Sequence, residues 1–179
     1  MYVVTGGSGS GKSAYAEAIV QDISCGERVY LATMKVYGEE GQAKVQRHIE
    51  LRAQKGFFTI EKTQSIGDIV PDIAGRRVTL LLEDLPNLLA NELYDDVGHQ
   101  SDTAKIIDKI YADVSAVYGA CENMVIVTGE VFSDGNSYDE STMDYIHALG
   151  RLNCLFAKRA DSVVEVVCGI PLIVKEKND

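Results

Sequence analysis

The chain has 179 residues and a formal net charge of −10, with 46% hydrophobic and 25% charged residues, the profile of one globular domain spanning residues 1–179 with room for a full core. The acidic balance argues against a nucleic-acid duplex as partner for the surface as a whole, and no apolar run approaches the ~20 residues of a membrane span. Cys25, Cys121, Cys154 and Cys168 are scattered and form no Cys-x-x-Cys pair, so reduced thiols in a cytoplasmic protein are expected, with neither a zinc site nor a redox pair.

The first element is Tyr2-Val3-Val4, a short β-prone run. It leads into Thr5-Gly6-Gly7-Ser8-Gly9-Ser10-Gly11-Lys12-Ser13. Gly6, four residues, then Gly11-Lys12-Ser13 is the phosphate-loop pattern, and the helix-forming run from Ala14 to Val20 completes strand, loop and helix. A triphosphate needs many donors in a small concavity, and glycines let backbone N–H groups curl around it. The cofactor-binding set therefore begins with Gly6, Gly7, Ser8, Gly9, Ser10, Gly11, Lys12 and Ser13. Lys12 reaches the β and γ oxygens of a nucleotide such as ATP or GTP, and the Ser13 hydroxyl is a ligand for Mg²⁺.

A second buried strand is expected over Arg28–Thr33 and a helix from about Glu39 to Lys55, with Val45, Ile49 and Ala53 on one face. Lys44, His48 and Arg52 are spaced by four on that helix and line one face. Two cations flanking an imidazole suit phosphate chemistry, and a neutral imidazole can attack phosphorus. On spacing alone a solvated charged face fits at least as well.

Further strands are expected over 57–61 and 78–84. A short helix over 65–74 is interrupted by Pro71, and another helix spans 86–93. The continuous apolar run Val78–Leu82 suits a strand covered on both faces, and Glu83 ends it at the edge where open α/β sheets bind ligands. A carboxylate there can hold Mg²⁺ or take a proton from a substrate hydroxyl, so Glu83 joins Lys12 and His48 as a catalytic candidate and Ser13 as a metal candidate. Asp84 is expected to point to the opposite side. An exposed acidic loop is expected at Asp95-Asp96, followed by an amphipathic helix over 103–118 and a strand over 124–128. Glu130 follows that strand as Glu83 follows its own. A loop over 133–137, a helix over 139–159 and two strands folded at Gly169-Ile170-Pro171 complete the chain. His99 and His147 sit in no motif. The expected class is α/β, a three-layer P-loop NTPase of RecA-like type. Its sheet is mainly parallel with an antiparallel edge hairpin at the C-terminal end.

The ordered set of these segments resembles the bifunctional adenosylcobinamide kinase / adenosylcobinamide-phosphate guanylyltransferase family. The resemblance rests on the opening Val-Thr-Gly-Gly, Ser10-Gly11-Lys12-Ser13, Ala16-Glu17, Tyr30-Leu31-Ala32-Thr33 and the helix carrying His48 and Arg52. It continues through Phe57, Phe58, Thr59 and Glu61, Leu81-Leu82-Glu83, Asn87-Leu88-Leu89 and Glu130-Val131. Gly150-Arg151-Leu152-Asn153 and the final hairpin complete it. It implies phosphorylation of adenosylcobinamide by a nucleoside triphosphate, then transfer of GMP from GTP through a histidine. His48 stands in the guanylylated position. Ala32, Thr33, Met34, Ile49, Glu50, Leu51, Arg52, Glu61 and Glu83 stand in nucleotide-contact positions. A corrinoid substrate and a homotrimer are implied in the same way. The chain departs from the family's pattern at Ser8-Gly9, Ile49, Gly129 and residues 132–137. Those departures keep two other readings open: a diverged small-molecule kinase or single-activity nucleotidyltransferase, and a regulatory nucleotide-binding ATPase.

Overall fold

The computed structural model describes residues 1–35, 49–50, 52–95, 98–99, 102–130 and 138–177. His48, Leu51, the start of the helix expected from Glu39 and the loop expected over 133–137 lie outside the described residues. Residues 49, 50 and 52–54 are helical.

Strand β1 (Tyr2–Thr5) runs through the phosphate loop into α1 (Lys12–Ile23). Then come β2 (Glu27–Ala32), β3 (Phe57–Glu61), a 3₁₀ turn (Ile66–Ile69), α2 (Val70–Ile73), β4 (Val78–Glu83) and α3 (Leu85–Leu93). The two-residue strands β5 (Tyr94–Asp95) and β6 (Gly98–His99), α4 (Thr103–Ala120), β7 (Asn123–Val127), α5 (Glu140–Arg159), β8 (Ser162–Val167) and β9 (Ile170–Glu176) complete the order. Seven strands form one sheet in the order β3-β2-β4-β7-β1-β8-β9. All its pairings are parallel except the β8–β9 hairpin. The expected class is thus the observed one.

Alternate residues of each strand feed two cores, as the period of two demands. Val3, Leu31, Leu80, Leu82, Met124 and Ile126 face α3, α4 and α5, where Leu89, Ile110, Leu152 and Phe156 are buried against them. Val4, Tyr30, Leu81, Val125 and Val127 face α1 through Ala16 and Val20.

Three local expectations are corrected. Pro71 does not interrupt a helix: it sits in the first turn of α2, where its missing N–H costs nothing. Of the acidic loop expected at Asp95-Asp96, Asp95 lies in a small antiparallel pair, Tyr94–His99 and Asp95–Gly98, and Asp96 lies outside the described residues. The hairpin turns at Cys168-Gly169, both at positive φ (51° and 81°), so Pro171 lies within β9 opposite Val166.

Candidate functional site

Strands β1, β2, β3, β4 and β7 all present their carboxyl ends to one edge of the sheet. The phosphate loop leaves β1 there. Gly6 is buried at φ +153°, and a Cβ on it would lie 2.5 Å from the Val166 carbonyl oxygen. Glycine is required because β8 passes too close for any side chain. Gly9 and Gly11 take positive φ (71° and 93°), and Gly11 caps α1 in the left-handed conformation. The Ser10 N–H donates to the Gly7 carbonyl at 3.2 Å. No side chain caps α1 and its first turn holds no acid, so its N–H groups and positive end point at the loop. The Gly169 N–H donates to the Ser10 carbonyl at 2.9 Å, which braces the loop against the terminal hairpin.

Lys12 folds back so that Nζ donates to the Gly7 carbonyl at 3.2 Å. Ser13 Oγ donates to Glu83 Oε1 at 2.6 Å. Helix α1 packs across β7 and β4, which carries Ser13 to the end of β4. Glu83 Oε2 and Ser10 Oγ are buried and have no partner among the described residues. Two unsatisfied oxygens beside a glycine cradle, one of them a carboxylate oxygen next to a hydroxyl, are a donor set that suits a phosphate chain and a hard cation. Burial pushes the Glu83 carboxyl up to about 7; the Ser13 hydrogen bond opposes this, Asp84 adds to it, and Lys12 and Arg52 oppose it. Near neutral pH the group therefore exchanges a proton readily, as proton transfer to or from a substrate requires.

Asp84 caps α3: its Oδ1 accepts from the Asn87 N–H and from Asn87 Nδ2, both at 2.8 Å. Burial raises its carboxyl, and the Asn87 contacts and Lys12 counter this. The Glu83–Asp84 peptide bond is cis. Asp84 ahead of Leu85-Pro86-Asn87 is a readable capping signal, since an aspartate followed by a proline in the first turn marks a helix start.

The remaining expected nucleotide residues divide into groups. Glu61, Ala32 and Glu83 are register neighbours across β3, β2 and β4. They form a row along the edge, with Met34 beyond it and 53% exposed. Ile49 is half-buried and Glu50 is exposed. The Arg52 guanidinium lies 3.6 Å over the Tyr30 ring and close enough to Glu83 to pull its carboxyl down. Lys55 pairs with Glu17 of α1 at 2.5 Å. Arg52 and Lys55 thus tie this segment to the sheet and to α1 on the face that carries the phosphate loop. Thr33, by contrast, is fully buried, with its hydroxyl against the backbone of Glu83 and Asp84. Glu130 is exposed two residues beyond Thr128, whose hydroxyl donates to Asn153 Oδ1 at 2.7 Å. Asn153 Nδ2 donates in turn to the Gly129 carbonyl at 3.2 Å. Thr33, Asn91 and Asn153 are polar anchors inside apolar stretches, and nothing in the spacing of the chain marks their partners.

The family model described as cobinamide kinase / cobinamide phosphate guanyltransferase matches residues 2–174. The chain belongs to that family. The bifunctional adenosylcobalamin biosynthesis protein CobU of Escherichia coli is 28% identical over 183 residues, covering 98% of this chain and 99% of the relative. The protein of the same description from Salmonella typhimurium is 30% identical over 188 residues, with 98% and 99% covered. Among solved structures, an ATPase domain superposes with a TM-score of 0.54 at 11% identity, covering 99% of this chain and 77% of that one. At that identity the likeness is one of fold, a P-loop ATPase fold. Among the described residues no helix is long and apolar enough to cross a membrane.

Proposed function

We propose that this chain phosphorylates the aminopropanol hydroxyl of adenosylcobinamide with a nucleoside triphosphate. It then transfers GMP from GTP to adenosylcobinamide phosphate through a GMP–histidine at His48, giving adenosylcobinamide-GDP. The observation that carries the nucleotide chemistry is the contact of Ser13 Oγ with Glu83 Oε1 at 2.6 Å beneath a glycine loop. Family membership and the printed activities of the two bacterial relatives supply the acceptor.

In the first reaction the phosphate loop and Lys12 hold the triphosphate, and Glu83 takes the proton as the substrate hydroxyl attacks the γ-phosphorus and the nucleoside diphosphate leaves. In the second, the neutral His48 imidazole attacks the α-phosphorus of GTP and pyrophosphate leaves against Lys12. The acceptor's phosphate oxygen then displaces the imidazole and carries GMP away. Arg52 offers a guanidinium to phosphate oxygens. Ser13 and Glu83 would hold Mg²⁺, which supplies charge neutralisation on the phosphates. Ala32, Met34, Glu61, Ile49, Glu50 and Leu51 are read as lining the nucleotide.

We read the working form as a homo-oligomer, a trimer by family likeness, acting in the cytoplasm. Edge strand β9 supports an oligomer, because Ile170, Leu172, Ile173 and Val174 are 48–65% exposed there and an open apolar edge invites a partner.

Intact-protein mass spectrometry after incubation with GTP and Mg²⁺ tests the reading. A GMP adduct labile in acid, stable in alkali and missing in His48→Ala is expected. Absence of the adduct with GTP bound would overturn the guanylyltransferase half. Cobinamide phosphorylation persisting without the adduct would leave a P-loop kinase, the alternative that the departure over residues 132–137 motivates.

A further inference from the structure

Thr33 follows Ala32, the last residue of β2, and has no solvent-exposed surface. Its hydroxyl accepts from the Asp84 N–H at 2.9 Å and lies 2.8 Å from the Asp84 carbonyl oxygen and 3.1 Å from that of Glu83. One hydroxyl proton serves one carbonyl at a time, so the group is fully employed by backbone. The Thr33 N–H donates to the Glu83 carbonyl at 3.0 Å. The Thr33 carbonyl accepts from Asn91 Nδ2 at 2.7 Å, and the same amide donates to the Thr63 carbonyl at 3.0 Å. Asn91 lies on α3, the helix capped by Asp84. The ends of β2 and β4, the segment after β3 and the body of α3 are thereby tied at two polar side chains inside an apolar core.

We propose that Thr33 is a positioning residue for the Glu83 carboxylate, its hydroxyl fixing the backbone at Glu83 and Asp84 and Asn91 fixing Thr33 in turn. Family likeness puts Thr33 among the nucleotide contacts, but a buried hydroxyl already shared among three backbone atoms has nothing left to offer a nucleotide. What it controls is the peptide from which Glu83 projects. Glu83 Oε1 meets Ser13 at 2.6 Å, and a displacement of ~1 Å at such a group can cost about 100-fold in rate. The proposal rests on Glu83 acting on the bound nucleotide, the reading given above.

Amide exchange of the nucleotide-free protein and steady-state cobinamide phosphorylation test it together. In Thr33→Val the Asp84 N–H should exchange about tenfold faster, and kcat should fall about tenfold with the nucleotide KM within about twofold. Thr33→Ser should restore both, and Thr33→Val should add nothing to the kcat loss of Glu83→Gln. Should the valine variant not fold, Thr33→Cys keeps the volume with a weaker donor and is read the same way. Unchanged Asp84 exchange overturns the proposal, as does a raised KM at constant kcat, which would make Thr33 a nucleotide contact. Full additivity with Glu83→Gln also overturns it. A wild type that leaves cobinamide untouched sinks the functional reading by itself. The exchange arm then still decides, and the gain in GTP affinity on adding Mg²⁺, lost in Thr33→Val and kept in Thr33→Ser, replaces kcat.

Discussion

Ser13 and Glu83 are 70 residues apart in sequence, yet hydroxyl and carboxylate meet at 2.6 Å. The contact exists because α1 leaves β1 and crosses β7 to reach β4. It joins the phosphate-binding half of the site to its acidic half before any ligand arrives. Preformed geometry of this kind spares reorganisation during reaction.

Lys12 is the cation we propose to neutralise a triphosphate, and in this structure its Nζ donates to the carbonyl of Gly7. Lys12→Ala should leave the fold intact and weaken GTP binding at least about tenfold, since a charge-assisted contact to phosphate is lost. Calorimetric titration measures this, and unchanged affinity in the folded variant would remove the phosphate-loop assignment.

The Glu83 carboxyl is raised to about 7 in the fold from an ordinary value near 4.3 in an unfolded chain. Between those values the folded protein holds a proton that the unfolded one has lost. The stabilisation is complete below the unfolded value and gone above about pH 7, so stability falls as pH rises through this window, by about 4 kcal/mol in total. Asp84 is raised as well and acts in the same direction. Asp68, Asp102, Asp139 and Asp161 are lowered and matter only under more acidic conditions. Urea unfolding of the nucleotide-free protein at pH 5 and pH 8 should show the decline, and Glu83→Gln should shrink it. A profile equally steep in the glutamine variant would refute this assignment.

Two glycines at the same edge should respond oppositely to alanine. At Gly6 a Cβ would lie 2.5 Å from the Val166 carbonyl, whereas at Gly129 the nearest atom among the described residues is Pro86 Cγ at 3.7 Å. Gly6→Ala should cost about 2–4 kcal/mol and abolish GTP binding, while Gly129→Ala should stay within about 0.5 kcal/mol of wild type. Thermal unfolding with and without GTP checks both.

Arg52 stacked on Tyr30 holds the described end of its helix to the sheet. Tyr30→Leu and Arg52→Ala should each destabilise, and their double-mutant coupling should fall at about 0.5–2 kcal/mol in urea unfolding. Tyr30→Phe keeps the ring face and should retain most of it. Zero coupling would make the stack incidental.

The sites legible in the sequence are those whose chemistry is local. Gly6 to Ser13 carry their demand in consecutive residues, and Val78–Leu82 announce a covered strand by apolar content alone. Strand order was not legible, because β1 pairs with residues more than 120 positions away and nothing in Tyr2–Thr5 names them. Thr33 and Asn91 were opaque for the same reason: a buried hydroxyl or amide shows its purpose only once its partners are folded around it. Asp84 could have been read as a helix cap from Pro86 and Asn87, but alternation along the strand suggested a side chain facing away. Cys168 at positive φ gives no warning in the sequence, since the neighbouring Gly169-Ile170-Pro171 run carries the stronger turn signal.

The neighbours of β1 have a consequence for the order in which the molecule comes together. Its pairing partners are Val125–Val127 and Ser162–Glu165, and the loop it feeds is braced by Val166 and Gly169. The phosphate loop follows β1 at once, yet both strands that pair with β1, and both residues that brace the loop from the hairpin, come from the last third of the sequence. Closing such long loops costs entropy that local contacts do not repay. A growing chain therefore carries its nucleotide loop unformed until β8 and its hairpin are available. Nucleotide then binds only a finished sheet, and its binding free energy is spread over both ends of the polypeptide.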